Sequence, residues 1–351
     1  MGEAPASGTR ELSRNGLTKL LFDRASNQPK ISVFFNHKLV DIDFKTKQLV
    51  ISCPMGEIKF LDSSEARVFG ADGAYSKVRQ LIQQSVKDDW GVCNVIPWSY
   101  QFRVLYSRLK AKSSPLLNVK SHYIFTGCFT SYLNGRWTCT IGLRNSDPLA
   151  DLKILQSATA STGNIIALRN ILKKRAPRLE PVIENEELEA FFSRKLFSGV
   201  VVDCRFANYN EWILLIGDAH HSVLPPTGQG INSGLQDVQI LVKAFKSNPE
   251  DAFSYYQSTR GVDLQSLIYY AKYLNEDPHF LGERWARVLF RVLESNLARK
   301  PIANRLFSEE ITCYSDIVGE WRKYQYFLLP LCRLLAYPLG FVLSLSLLRP
   351  K

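Results

Sequence analysis

One carboxylate, a proline pair and two bare glycines lie close together in the stretch Trp212 to Phe245, WILLIGDAHHSVLPPTGQGINSGLQDVQILVKAF. Asp218 follows an apolar run, Trp212 to Ile216, that reads as a strand buried on both faces, and Gly217 supplies the turn between them. The carboxyl end of such a strand is where open α/β sheets hold ligands. Pro225 and Pro226 keep the next residues extended, and Gly228 and Gly230 leave side-chain-free backbone leading into a helix. That helix shows in Leu235, Val238, Leu241, Val242 and Phe245, at spacings of three and four. N–H groups at Gly230, Ile231 and Asn232, with the positive end of the helix dipole, favour a negatively charged or electron-rich ligand edge. The chemistry implied is the holding of a ligand, with no side chain required as a nucleophile.

A second stretch, Val68 to Arg79 (VFGADGAYSKVR), places Asp72 and Gly73 after another short apolar run. Alone, an Asp-Gly pair is a common turn. Taken together, the two stretches resemble signatures of the single-component FAD-dependent aromatic hydroxylases. GD followed by H, P, GQG and N at these intervals is similar to the second FAD-binding signature of that family. The resemblance implies that Asp218 contacts the ribityl chain, with Pro225, Gly228, Gly230, Ile231 and Asn232 around the chain and ring. The Asp72-Gly73 stretch resembles the family's DG motif, near the cofactor pyrophosphate and the approach of the nicotinamide nucleotide. RELSRNGLTKLLFDRA and ISVFFNHKLVDIDF, including Phe35 to Leu39, are similar to the kynurenine 3-monooxygenase family, which adds Arg14 and Leu39 as FAD contacts.

The resemblance implies an α/β fold: a Rossmann-like FAD-binding domain, N-terminally truncated, with an inserted β-rich substrate lobe and a helical, hydrophobic C-terminus. The divisions expected are 1–83 and 206–248 for the FAD-binding parts, 84–205 for the lobe and 249–351 for the helical region. A complete form is expected to hydroxylate a kynurenine-like aromatic substrate with FAD, NAD(P)H and O2. No GxGxxG turn, the pyrophosphate-approaching element of such folds, occurs in the chain. The matching part starts near Glu11, so the chain looks truncated, and one sheet edge with its apolar faces is expected to lie unpaired. Efficient NAD(P)H-driven turnover is not expected of it. The alternatives are a catalytically inactive, membrane-associated interaction protein and an enzyme of the same fold with a lipid or isoprenoid substrate. His221 matches the family histidine and His220 stands where the family usually has Ala; on an extended loop, this pair is expected to cap or hydrogen-bond. The kynurenine-carboxylate arginine and its tyrosine partner have no counterpart, Asn275 matches a substrate-facing Asn only with a gap, and Asn304 replaces a tyrosine.

Composition sets the limits. With 351 residues, 46% of them hydrophobic, the chain can bury a large core and is not disordered. Net charge is +11, but no dense basic run points to nucleic acid. Seven cysteines without a CxxC pair suggest neither a metal site nor a disulfide framework and fit a reducing compartment. Met1 to Thr9 lacks the apolar core of a signal peptide.

Ser13 is a candidate cap for a helix with Leu17, Leu20 and Leu21 on one face. Pro54-Met55-Gly56 and Asn134-Gly135 read as hairpin turns. Strands are expected over Trp98 to Tyr106, His122 to Tyr132 and Gly135 to Arg144, and a helix over Asp151 to Arg175. Phe102, Tyr123, Phe125 and Trp137 read as sheet core. From Tyr326 to Leu348 only Arg333 interrupts an apolar run. Its uninterrupted part is short for a span, yet tyrosines and flanking basic residues favour attachment of 324–351 to a membrane, by resemblance the mitochondrial outer membrane, against a buried amphipathic helix.

Overall fold

Alternating apolar residues and short, fully apolar runs build two different kinds of sheet in this chain. The computed structural model describes residues 2–5, 14–85, 92–108, 116–125, 127–144, 147–276, 278, 280–298, 302–306 and 313–347. In chain order the elements are β1 (Gly2–Pro5), α1 (Arg14–Ser26), β2 (Lys38–Asp43), β3 (Gln48–Ser52), β4 (Ile58–Asp62), β5 (Val68–Gly70), α2 (Lys77–Ser85), β6 (Cys93–Tyr106), β7 (Ser121–Phe125), β8 (Cys128–Leu133) and β9 (Arg136–Arg144). There follow α3 (Leu149–Gln156), α4 (Thr162–Arg175), α5 (Asn185–Ser193), β10 (Phe197–Cys204), β11 (Asn208–Tyr209), β12 (Ile213–Leu215), α6 (Asp218–His221), α7 (Gly230–Ser247), α8 (Ala252–Asn275), α9 (Leu281–Leu297), α10 (Ile302–Leu306) and α11 (Tyr314–Leu347). Two compact units result, residues 1–33 with 99–199 and residues 34–98 with 200–351.

In the first unit β9 buries Trp137, Cys139, Ile141 and Leu143 and leaves the residues between them partly exposed. That period of two suits a strand with one covered face. The strand order is β1-β7-β8-β9-β6-β10. Asn134 and Gly135, at φ 51° and 84°, close the β8–β9 hairpin as expected. His122 to Tyr132, expected as one strand, is two, β7 and β8, with Gly127 at φ 69° between them. The expected helix from Asp151 to Arg175 is also two, because Ser161 accepts the Asn164 N–H at 3.2 Å and starts α4 afresh. Leu155, Leu168, Leu172, Leu188, Phe191 and Phe192 join Leu105, Tyr123 and Trp137 in one core. Phe102 instead stacks, partly buried, on Phe197, with ring centroids 5.3 Å apart. The side chain of Phe125 lies outside the described ones. Leu20 and Leu21 of α1, expected on one helix face with Leu17, are exposed, and Ser13 lies outside the described residues.

In the second unit β2, β3 and β4 form an antiparallel meander, turned at Met55 and Gly56. β12, fully buried, pairs antiparallel with β11 and parallel with β5, in the register Ile213 with Val68 and Leu215 with Gly70. Gly70 lets the chain pass close to its neighbours, since a Cβ there would stand 2.7 Å from Leu215 Cδ2 and 3.0 Å from Val78 Cγ1 and would push these side chains aside. Among the described residues no strand pairs with the other edge of β5. α7 is a helix as its spacings predict; Ser233, Asp237, Leu241 and Ala244 face inward, whereas Ile231, Leu235, Val238 and Val242 are about half exposed. Buried polar bonds to Ser233 and Asp237 hold that orientation and turn the apolar line outward.

The C-terminal helices share a core of Leu267, Ala286, Phe290, Val318, Trp321, Leu329 and Cys332. Arg333 does not interrupt a span. Its Nε and Nη2 each donate to Glu283 of α9 at 2.9 Å, and Tyr337 donates to the same carboxylate at 2.6 Å. Burial opposes the charge on Glu283, but these bonds hold its pKa at about 2. No helix among the described residues is long and apolar enough to cross a membrane. Another side of α11 leaves Phe327, Leu331, Leu334 and Leu335 exposed. One cysteine pair corrects the sequence reading as well: Cys93 and Cys204 form a disulfide, 111 positions apart in sequence but on the neighbouring strands β6 and β10.

Candidate functional site

Because β5 and β12 run parallel and in register, both motif stretches leave the sheet at the same end. Arg79, the last residue of the Asp72 stretch, fastens one to the other. It is buried, donating Nη1 to the Ala219 carbonyl at 2.6 Å and Nη2 to the Ala74 carbonyl at 2.7 Å. Burial lowers its pKa, with nearby Asp72 acting in the opposite sense. Asp72 itself accepts the N–H groups of Lys77 (2.6 Å) and Val78 (3.1 Å), so it caps α2 and stiffens the loop that carries Gly73.

After β12, Gly217 turns at φ 56° and donates its N–H to Asp237 at 2.9 Å. The N–H groups of His220 and His221 return to the Gly217 carbonyl, both at 2.9 Å. Asp218 to His221 is therefore a helical turn, not the extended loop expected for the two histidines. Asp237 is wholly buried and also takes His221 Nε2 at 2.5 Å and Arg260 Nε at 2.9 Å. Burial pushes its pKa up, but His221 and Arg260 outweigh that and bring it to about 2. His221 thus has the expected hydrogen-bonding role. His220 is buried, held neutral down to about pH 3 by burial first and His221 second, and neither ring nitrogen meets a partner among the described residues. Asp218 points its exposure the other way: no hydrogen bond or ion pair to another described residue engages its carboxylate.

Pro225 to Thr227 form a 3-10 turn, not the extended segment expected, and Gly228 follows at φ 66°. No side chain caps the start of α7, because Gln229 turns inward to the Leu306 carbonyl (2.6 Å) and the Tyr314 hydroxyl (3.0 Å). Gly230, Ile231 and Asn232 are exposed there. A Cβ placed at Gly73, Gly217 or Gly230 would meet nothing within 4 Å, whereas one at Gly234 would lie 3.9 Å from the Gly217 Cα. α7 thus passes close behind the turn and leaves open space in front of it. Leu39 is partly buried against the core of Val78, Leu81, Ile82, Ile213 and Leu215. Arg14 opens α1 in the first unit, with its side chain outside the described ones. Asn275 donates to the Pro97 carbonyl at 3.1 Å, and the side chain of Asn304 lies outside the described ones.

These features fit a dinucleotide-like flavin: a free carboxylate for hydroxyl groups, uncapped N–H groups at a helix start for an electron-rich ring edge, and bare backbone beside both. Sequence reasoning missed Asp237, Arg260 and the role of Arg79. A cavity of about 210 Å³ in the first unit, lined by Gly127, Arg144, Asp147, Pro148, Asp151, Lys174 and Arg175, contains none of the motif residues. Arg175 there is committed to Asp147 (3.3 Å) and Asp151 (3.1 Å).

Comparison with known proteins agrees with the geometry. Residues 203–249 match the family model for an FAD binding domain. The chain is 26% identical over 243 residues to kynurenine 3-monooxygenase of Neurospora crassa, covering 66% of this chain and 47% of that protein. Against the Saccharomyces cerevisiae enzyme of the same name it is 27% identical over 286 residues, covering 77% and 59%. It spans about half the length of the curated relatives it matches. In fold it is similar to 2-methyl-3-hydroxypyridine-5-carboxylic acid oxygenase, with a TM-score of 0.54, 17% identity, and coverage of 75% of this chain and 66% of that one. PqsL of P. aeruginosa in complex with 2-aminobenzoylacetate gives 0.53 and 19%, covering 73% and 67%. The chain resembles FAD-dependent aromatic hydroxylases in sequence and fold.

Proposed function

We propose that this chain holds FAD at the ends of β5 and β12 as part of a monooxygenase that hydroxylates a small, kynurenine-like aromatic substrate, with NAD(P)H as co-substrate. The observation that carries the reading is the parallel register of β5 with β12, which brings the Asp72 and Asp218 turns to one sheet end beside an uncapped helix start. Asp218 accepts ribityl hydroxyls, the N–H groups at Gly230 to Asn232 face the electron-rich edge of the ring, and Gly73 lies toward the pyrophosphate. Bound FAD supplies the redox chemistry and oxygen activation. The chain's own residues bind, orient and exclude water. Kynurenine enters from the names of the relatives.

The test is a titration of purified protein with FAD, followed by NADPH oxidation with a panel of aromatic acids including kynurenine. Flavin absorbance near one FAD per chain, and substrate-dependent oxidation once the chain is extended to the length of its relatives, is the expected result. Colourless protein that cannot be reconstituted would overturn the reading in favour of a non-catalytic interaction protein.

The exposed line Phe327, Leu331, Leu334 and Leu335 supports a further part of this reading, in which α11 lies on a membrane surface instead of crossing it. Leu331→Glu with Leu334→Glu leaves the inward core untouched and should abolish sedimentation with anionic vesicles. Unchanged sedimentation, or none by the parent chain, removes this part.

A further inference from the structure

Behind the Gly217 turn runs a series of buried polar contacts that leads away from the motif stretches. Gly217 N–H donates to Asp237 Oδ2 (2.9 Å), Asp237 Oδ1 accepts Arg260 Nε (2.9 Å), and Arg260 Nη1 bonds Asp263. Asp263 Oδ1 then accepts the N–H of Ser315 at 2.9 Å, in the first turn of α11. Each side chain on this path is buried: Asp237 at 0%, Arg260 at 2% and Asp263 at 8% exposure. A second path ends on the same helix, for Gln229, which precedes α7, is tied to Tyr314 at the start of α11.

Arg260 is the pivot. Its Nη2 also donates to the Ser233 carbonyl (3.1 Å) and hydroxyl (3.0 Å), so all three guanidinium nitrogens are engaged at once. A planar guanidinium fixes its partners relative to one another, so a shift of Asp263 moves the donors that hold Asp237 and Ser233. Buried polar networks of this kind respond as units.

We propose that Arg260, Asp263 and Tyr314 are positioning residues for the cofactor turn, through which the start of α11 sets the conformation of Gly217 and of the N-terminus of α7. The functional meaning rests on the reading of that turn as an FAD site; the physical coupling does not. It makes the C-terminal helix part of the cofactor scaffold, although α11 shares no sequence motif with it.

The experiment compares Asp263→Ala, Tyr314→Phe and a control, Leu329→Ala, which loosens the packing of α11 without touching either path. Backbone amide exchange without FAD and the FAD Kd are both measured on the full chain. Asp263→Ala should raise exchange at Gly217 at least tenfold and weaken FAD about tenfold. Tyr314→Phe, which removes one hydroxyl and keeps the ring, should raise exchange at Ser233, whose N–H donates to the Gln229 carbonyl, about threefold. Leu329→Ala should lower thermal stability with neither effect. Unchanged exchange at both turns, or equal changes in the control, overturns the coupling. If Asp263→Ala does not fold, Tyr314→Phe against the control decides. If the parent chain binds no FAD, the functional reading fails while amide exchange still decides the coupling.

Discussion

In the first unit β9 buries every second residue and meets apolar side chains of α3, α4 and α5. In the second, β12 buries all three of its residues, and the turn after it is held by a carboxylate, an imidazole and a guanidinium. An apolar core tolerates many substitutions of similar volume. A buried charge network tolerates almost none, because a lost partner leaves the others unpaired. The first arrangement stabilises a shape, and the second specifies the position of one turn. That difference is why the candidate site belongs to the second.

The largest effects test this contrast directly. Asp237→Ala strips the acceptor from Gly217, His221 and Arg260 and should cost about 3–5 kcal/mol. Trp137→Ala opens the core of the first unit and should cost about the same. The two should differ in FAD binding: with protein still folded at low temperature, Asp237→Ala loses it and Trp137→Ala keeps it. Equal loss by both, in FAD titrations, would erase the distinction between the regions.

Acid should act on the second unit first. His220 has its folded pKa depressed to about 3, so the unfolded chain takes up its proton as pH falls below about 6.5 and the folded chain does not. Stability is lost from about pH 6.5 down to about 3, by on the order of 5 kcal/mol. Asp237, depressed to about 2, adds stability that is present above its unfolded value and lost as pH falls toward 2. His220→Ala should flatten the dependence between pH 6.5 and 4 in urea midpoints; an unaltered slope would show that another group titrates there.

Smaller effects belong to exposed residues. Asp218→Ala should weaken FAD by roughly 1–3 kcal/mol in binding titrations while leaving the melting temperature nearly unchanged, since no described residue depends on that carboxylate. An unchanged affinity removes Asp218 from the site. Leu235→Lys with Val238→Lys on the outer side of α7 should change stability by about 0.5 kcal/mol or less and reduce self-association in light scattering. A large destabilisation would mean that this face is covered.

How far each region could be read from sequence follows the same division. β9 and the Asn134-Gly135 turn were legible because alternation and turn chemistry are local. The two motif turns were legible in order, and the parallel pairing of β5 with β12 gave them a common end. α7 was legible as a helix, but which of its faces is buried was not. Its polar Ser233 and Asp237 point to solvent by pattern, and only tertiary partners, Arg260 above all, reverse that. The ion pair of Arg333 was not legible for the same reason, since its partner Glu283 lies 50 positions away. Cys93 and Cys204 are paired by strand neighbours, which no spacing rule shows.

The most direct measurement is the amide-exchange footprint of FAD on the full chain. Protection should rise at Asp72 to Arg79, at Gly217 to His221 and at Gly230 to Ser233, with no change in β8 and β9 of the first unit. Protection confined to other segments, or no change with FAD at saturating concentration, would contradict the assignment of the site.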